Sequence, residues 1–257
     1  MAAHGKLQWI GWGQAEERVR VLWRILAGLL IFFGSQIVAF VLASSLFGID
    51  LESPEAIVIV AVSTILFLGL FGLYARYLDG TRIRDYGIRE PSRFAKHFAA
   101  GFLAPVIATG VVFTVSLAIG EAEIVATTDL DVLGVAGWSA YMFFLILGGS
   151  IMEGIFYGAI LCLVIFEGAR RLGGDSRLSL TLAVGLTAAL FSGLHFVYGD
   201  PGAAPGVPWY SLAIYWMLAG FVMVYGYVLT GSLAWPIAVN ATPMDGRGLP
   251  WPRSSFW

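Results

Sequence analysis

One carboxyl group stands alone in the most apolar part of this sequence. Between Asp131 and Glu167 the only acidic or basic side chain is Glu153, near the middle of a run of aliphatic, aromatic and glycine residues. A charge in hydrocarbon is costly, so Glu153 must face a partner, a cavity or a metal, or be held protonated against a neighbouring helix. Tyr157 follows one helical turn later, with its hydroxyl in range to donate to Glu153. A second isolated group, His195, is one of 3 histidines and lies one turn after Phe191 in Phe-Ser-Gly-Leu-His. It is either a satisfied core histidine or a partner for Glu153, because Glu with His is the minimum set for proton transfer or metal binding. Asn240 ends a further apolar stretch, where an amide commonly ties helices together by hydrogen bonds.

Those residues need helices to carry them, and the apolar runs supply candidates. A hydrocarbon core of roughly 30 Å takes about 20 helical residues to cross. Runs of that length occur at Ile25 to Phe47, Ala56 to Ala75, Phe98 to Gly120, Val132 to Phe166, Leu178 to Tyr198 and Trp209 to Thr230. A shorter seventh, Ser232 to Ala241, carries Asn240. The fourth run exceeds one crossing, so Val132 to Ser139 reads as an interfacial segment or the sign of a tilted helix. Ser150, Gly154 and Gly158 recur every four residues around Glu153, a pattern that lets two helices approach closely. At ~1.5 Å per residue from the basic ends of their helices, Glu153 lies ~20 Å deep, His195 ~26 Å and Asn240 ~12 Å. They converge only through tilt or re-entrant ends.

The remaining composition agrees with a bilayer as solvent. The chain of 257 residues is 58% hydrophobic and 12% charged, with a mean hydropathy of +0.81, more apolar surface than a soluble domain of this size buries. The expected fold class is therefore all-α, a polytopic transmembrane bundle of about seven membrane helices. Basic residues alternate between loops: Lys6, Arg18, Arg20 and Arg24, then Arg76, Arg82, Arg84, Arg89, Arg93 and Lys96, then Arg170, Arg171 and Arg177. The intervening loops carry Asp50, Glu52, Glu55, Glu121, Glu123, Asp129, Asp131 and Asp200 instead. By the positive-inside rule the N-terminus lies on the cytoplasmic side, most simply of the plasma membrane. The basic stretch Arg76 to His97, with a turn at Asp85 to Pro91, suits anionic headgroups. The segment Gly199 to Pro208, with three prolines, is an external loop. Residues 1–24 form a cytoplasmic N-terminal segment, 25–241 the membrane domain and 242–257 an irregular tail. The single cysteine, Cys162, allows neither an internal disulfide nor a cysteine-based metal cluster. Nothing here calls for nucleic acid; the bilayer is the expected partner.

From about Arg82 to Asn240 the chain resembles the CAAX prenyl protease and bacteriocin-processing family of intramembrane metalloproteases. The resemblance lies in the basic loop with Tyr86-Gly87, Met-Glu-Gly-Ile-Phe-Tyr-Gly at 152–158, Glu-Gly-Ala-Arg-Arg-Leu-Gly at 167–173, Phe191 to His195, and Thr-Gly-Ser-Leu-Ala-Trp-Pro-Ile at 230–237. Members of that family carry Glu-Glu-x-x-x-Arg, Phe-x-x-x-His and His-x-x-x-Asn or Asp on successive helices. Here Met152 stands at the first Glu, Glu153 at the second, Tyr157 at the Arg, Asn240 at the His and Met244 at the Asn; Phe191 and His195 are intact. In the family a helix continues past the Asn240 position, whereas residues 242–257 hold three prolines and no apolar run, like a truncated or frameshifted copy.

The resemblance implies hydrolysis of a peptide or prenylated protein within the membrane, zinc as cofactor, Glu153 as acid or base, His195 as metal ligand, and Asn240 as replacement ligand or oxyanion donor. Metal-bound water is acidic enough to lose a proton near neutral pH, which suits an adjacent carboxylate. Glu153 falls at the position that the family pairs with its Arg, about 100° around the helix from the water-activating one. Two rivals use the same residues: a noncatalytic relative that binds membrane peptides or lipidated tails, and a small transporter with Glu153 and His195 as proton relay.

Overall fold

The computed structural model describes residues 21–48, 56–88, 90–120, 134–173, 175–198 and 209–242, with only the helix path for 56, 134–142 and 197–198. These residues are helical throughout, apart from turns. Among them are α1 (Val21–Phe47), α2 (Ala56–Tyr77), a 3₁₀ turn (Ile83–Tyr86), α3 (Pro91–Ala118), α4 (Gly134–Glu153), a π-helical segment (Gly154–Cys162), α5 (Leu163–Arg171), α6 (Ser176–Tyr198), α7 (Trp209–Thr230) and α8 (Ala234–Asn240). The helices are apolar nearly all round, as expected where lipid replaces water. Leu30, Ile65 and Val112 stand 74%, 69% and 65% exposed, outward-facing side chains that only a bilayer would solvate without penalty.

Among the described residues, six helices are long and apolar enough to cross a membrane: Val21–Phe47, Ile57–Tyr77, Pro91–Ala118, Phe143–Arg171, Ser176–Phe196 and Trp209–Thr230. The chain is therefore read as an integral membrane protein with a polytopic helical bundle. The fourth span is the central post, 72% buried over its most apolar window against at most 39% for any other. It runs without a break through α4, the π segment and α5, so from Gly134 onward the long fourth run is one rod.

The expected seventh span is instead the seven-residue α8, about 10 Å long at 1.5 Å per residue. It also starts inside the protein: Ser232, Leu233 and Ala234 are 3%, 0% and 0% exposed. Gly231, with φ 60°, reverses the chain after α7, and α8 then packs against α3, α4 and α7. Gly87 sits against this turn with φ 101°, so close to Gly231 and Ser232 that no side chain would fit.

Two helix starts also differ from the apolar runs. The third helix begins at Pro91, not near Phe98, because Pro suits the first turn of a helix and Arg93 and Lys96 keep their charges in water. The first begins at or before Val21 and includes Arg24, which is 1% exposed and so does not belong to a solvated basic segment. Two acids explain its burial. Arg24 is paired with Asp79, just past α2, and with Glu167 of α5 at 2.5 Å. Arg171 holds the other oxygen of Glu167 at 2.5 Å, and the Tyr86 hydroxyl donates to Asp79. Burial, and then the Asp79 charge, pushes the Tyr86 phenol above its ordinary range, so it stays protonated as that donor.

The residues 1–20, the acidic loops at 49–55 and 121–133, the segment 199–208 and the tail from 243 lie outside the described residues.

Candidate functional site

Glu153 closes α4, one residue before the π segment begins. A π turn carries more residues than an α turn, and such segments occur frequently at functional sites. Met152 is 5% exposed and belongs to the core, whereas the Glu153 side chain is 27% exposed and lines a cavity of about 250 Å³. It is thus position 153, not 152, that presents a side chain to this space.

Helix α8 packs directly on the π segment. Gly154 abuts Ile237 of α8 so nearly that an added Cβ would lie 2.9 Å from its backbone nitrogen, and Gly158 faces Pro236. The two glycines of the small-residue repeat therefore act in packing, as their spacing suggested, while Ser150 lines the cavity. The α8 contact also brings Asn240 to Glu153. Depths counted from helix ends separated them, but α8 stands beside the π segment and starts well inside the bundle. The Asn240 amide donates from Nδ2 to Glu153 Oε2 at 2.7 Å.

His195 comes from α6, on the opposite wall. Its Nδ1 lies 2.8 Å from the Phe191 carbonyl oxygen. A carbonyl only accepts, so Nδ1 carries the proton of that bond, and in the neutral ring Nε2 keeps its lone pair. That nitrogen is 4.0 Å from Glu153 Oε2, a span that one oxygen atom hydrogen-bonded to both would bridge. Ser192, one turn earlier, donates to the Ala213 carbonyl at 3.0 Å and joins α6 to α7. The three predicted positions, 153, 195 and 240, thus meet at one cavity although 87 residues separate Glu153 from Asn240.

Tyr157 behaves otherwise than expected. It is 2% exposed and packs edge-on against Phe191, with ring centroids 4.9 Å apart, while Asn240 takes the carboxylate. Trp216 of α7 is a participant that sequence reasoning missed. Its ring stacks on His195 with centroids 4.3 Å apart and planes at 26°. The remaining lining is apolar, with Leu145, Ile146, Ala219, Met223 and Val239, plus the small polar Ser150 and Thr242. Ser150 and Thr242 spend their hydroxyls on carbonyls of their own helices.

The donors can be weighed against zinc, which takes three protein ligands of nitrogen, sulfur or carboxylate type plus water. The cavity offers one imidazole nitrogen, one carboxylate and an amide whose NH₂ end is turned to that carboxylate. Among the described residues no three His, Cys, Asp or Glu side chains come together. The set does not fit a zinc centre.

No family model, curated protein or solved structure matches this chain.

Proposed function

We propose that this protein is an intramembrane endopeptidase of the CAAX protease and bacteriocin-processing type, working on an apolar peptide or lipidated segment in the cavity between α4, α6, α7 and α8. The observation that carries this is the meeting of Glu153, His195 and Asn240, which stand at that family's motif positions on three separate helices and face one cavity. Glu153 takes a proton from water lying between its Oε2 and His195 Nε2. The water oxygen then bonds to the scissile carbonyl carbon, and the second N–H of Asn240 donates to the oxyanion. When the C–N bond breaks, the proton held by Glu153 passes to the leaving amine. Apolar walls keep bulk water away from these groups and strengthen each hydrogen bond. The alternation of basic loops supports a cytoplasmic N-terminus, and the plasma membrane is the membrane proposed for the bundle.

Hydrolysis of fluorogenic apolar peptides by the purified protein in detergent tests the proposal, with zinc content measured beside it. Glu153→Gln and His195→Ala are each expected to lower turnover about a hundredfold or more. Cleavage unchanged in both variants would sink it. A second reading is favoured by the mainly apolar lining: a noncatalytic protein that holds membrane peptides or lipidated tails in the same cavity. Saturable peptide binding without product, lost on filling the cavity with Ala219→Trp, would select it.

A further inference from the structure

We infer that the cavity is served from the face opposite the basic loops, so that its substrate is an apolar peptide segment presented on the non-cytoplasmic side, not a lipidated tail in the cytoplasm. The inference rests on the assignment of the cavity as the working site. Two hydrogen bonds mark the basic face, which is the cytoplasmic one by the positive-inside rule. Arg93 donates to the carbonyl of Thr230, the last residue of α7, at 3.2 Å. Arg170 donates to the hydroxyl of Ser176, the first residue of α6, at 2.8 Å.

The polar groups of the cavity lie far from those ends. At 1.5 Å per residue, His195 stands ~28 Å along α6 from Ser176 and only ~4.5 Å short of Tyr198. Trp216 stands ~21 Å from Thr230 and ~10 Å from Trp209, the opposite end of α7. Helix α8 starts beside the basic end of α7 and carries Asn240 as its last residue.

Between the cavity and the basic face the described residues are packed shut. Tyr157, Val224, Tyr227 and Leu233 are 2%, 0%, 1% and 0% exposed. Large rings fill the gaps between helices there. Tyr157 meets Phe191 of α6, and at Gly158 an added Cβ would lie 3.6 Å from Tyr227 of α7 and 3.4 Å from Pro236 of α8. Lower still, the turn that carries Gly87 is seated on the α7–α8 junction. The Tyr227 hydroxyl donates to the Tyr86 carbonyl and the Ser232 hydroxyl to the Gly87 carbonyl, each at 3.4 Å. A peptide coming from the basic face would have to prise α6, α7 and α8 off the π segment, at the cost of close-packed core contacts. Glu153 nevertheless keeps 27% of its side chain exposed, so the opening lies on the far side of this floor.

The test is thiol labelling of the full chain in sealed membrane vesicles of both orientations, with a small, charged, membrane-impermeant methanethiosulfonate and a mass increase as readout. Gly149→Cys and Ala219→Cys place thiols on two walls of the cavity, and an added Cβ at Gly149 meets nothing within 4 Å. Arg84→Cys, exposed on the 3₁₀ turn, marks the basic face, and the native Cys162 is buried. Both cavity thiols are expected to react in vesicles that shield Arg84→Cys and to stay unmodified in vesicles that expose it. They sit on separate helices, so one reads the result if the other variant fails to fold. Reaction from the Arg84 face would overturn the inference. So would reaction of the folded variants from neither face, which would mean entry from lipid alone. Labelling needs no peptide cleavage, and cleavage in detergent has no sides, so the inference and the proposed activity fail separately.

Discussion

At Asn240 one side chain serves packing and, in the proposed reaction, chemistry as well. Its amide gives Glu153 a charge-assisted hydrogen bond of 2.7 Å and leaves a further N–H for a ligand. Asn240→Leu keeps the bulk but strands the carboxylate, at an expected cost of about 1–3 kcal/mol. A detergent-melting comparison with Glu153→Gln/Asn240→Leu checks it, since removing both partners should recover part of the loss. The sequence made Glu153 conspicuous because it has no charged neighbour in its run, and His195 because histidines are few. Trp216 had no such mark. It is one of 9 tryptophans, and only the packing of α6 on α7 brings it to His195. Tyr157 was misjudged for a similar reason: its ring packs on Phe191 of another helix, a contact that spacing within one helix does not show.

At the scale of elements, the central rod matters most. Its upper half brings Glu153 to the cavity, the π segment seats α8, and its lower end carries Glu167 to Arg24. The ion cluster there joins α1, α2 and α5 in an interior where each charge depends on the others. Arg24→Ala leaves Asp79 and the Arg24-facing oxygen of Glu167 buried without their cation, and the expected loss is about 3–5 kcal/mol. Arg24→Leu/Asp79→Leu removes a charge of each sign and should melt above Arg24→Ala; a lower melting point would show that the cluster is not a mutually compensated set. Helix positions were largely legible, because bilayer thickness sets a minimum apolar length that Ala56–Tyr77 and Trp209–Thr230 meet without interruption. Arg24 was not legible, since its acids lie far along the chain. The π segment has no sequence signal of its own, and the shortness of the Ser232 to Ala241 run was the only hint that α8 begins inside the protein.

The whole molecule presents a belt of apolar side chains with its exposed basic residues, among them Arg76, Arg82, Arg84, Arg93, Arg170 and Arg177, on the turns and helix ends. Cysteine labelling reads the orientation directly, because Cys162 is 1% exposed and gives little background. In intact cells a membrane-impermeant maleimide should label Asp200→Cys and spare Arg84→Cys until the cells are opened. The reverse pattern would invert the proposed topology. Burial of Arg24 has a further consequence during biosynthesis. Its two acids lie in later parts of the chain, and Glu167 follows it by 143 residues. At ~5–20 residues per second, that acid leaves the ribosome roughly 7–30 s after the arginine. Over that interval the first helix holds a cation in or near lipid without its full complement of counter-charges. The nascent chain thus carries a built-in delay: its first segment is committed to the bilayer early, yet reaches its final seat only when the fourth has been made.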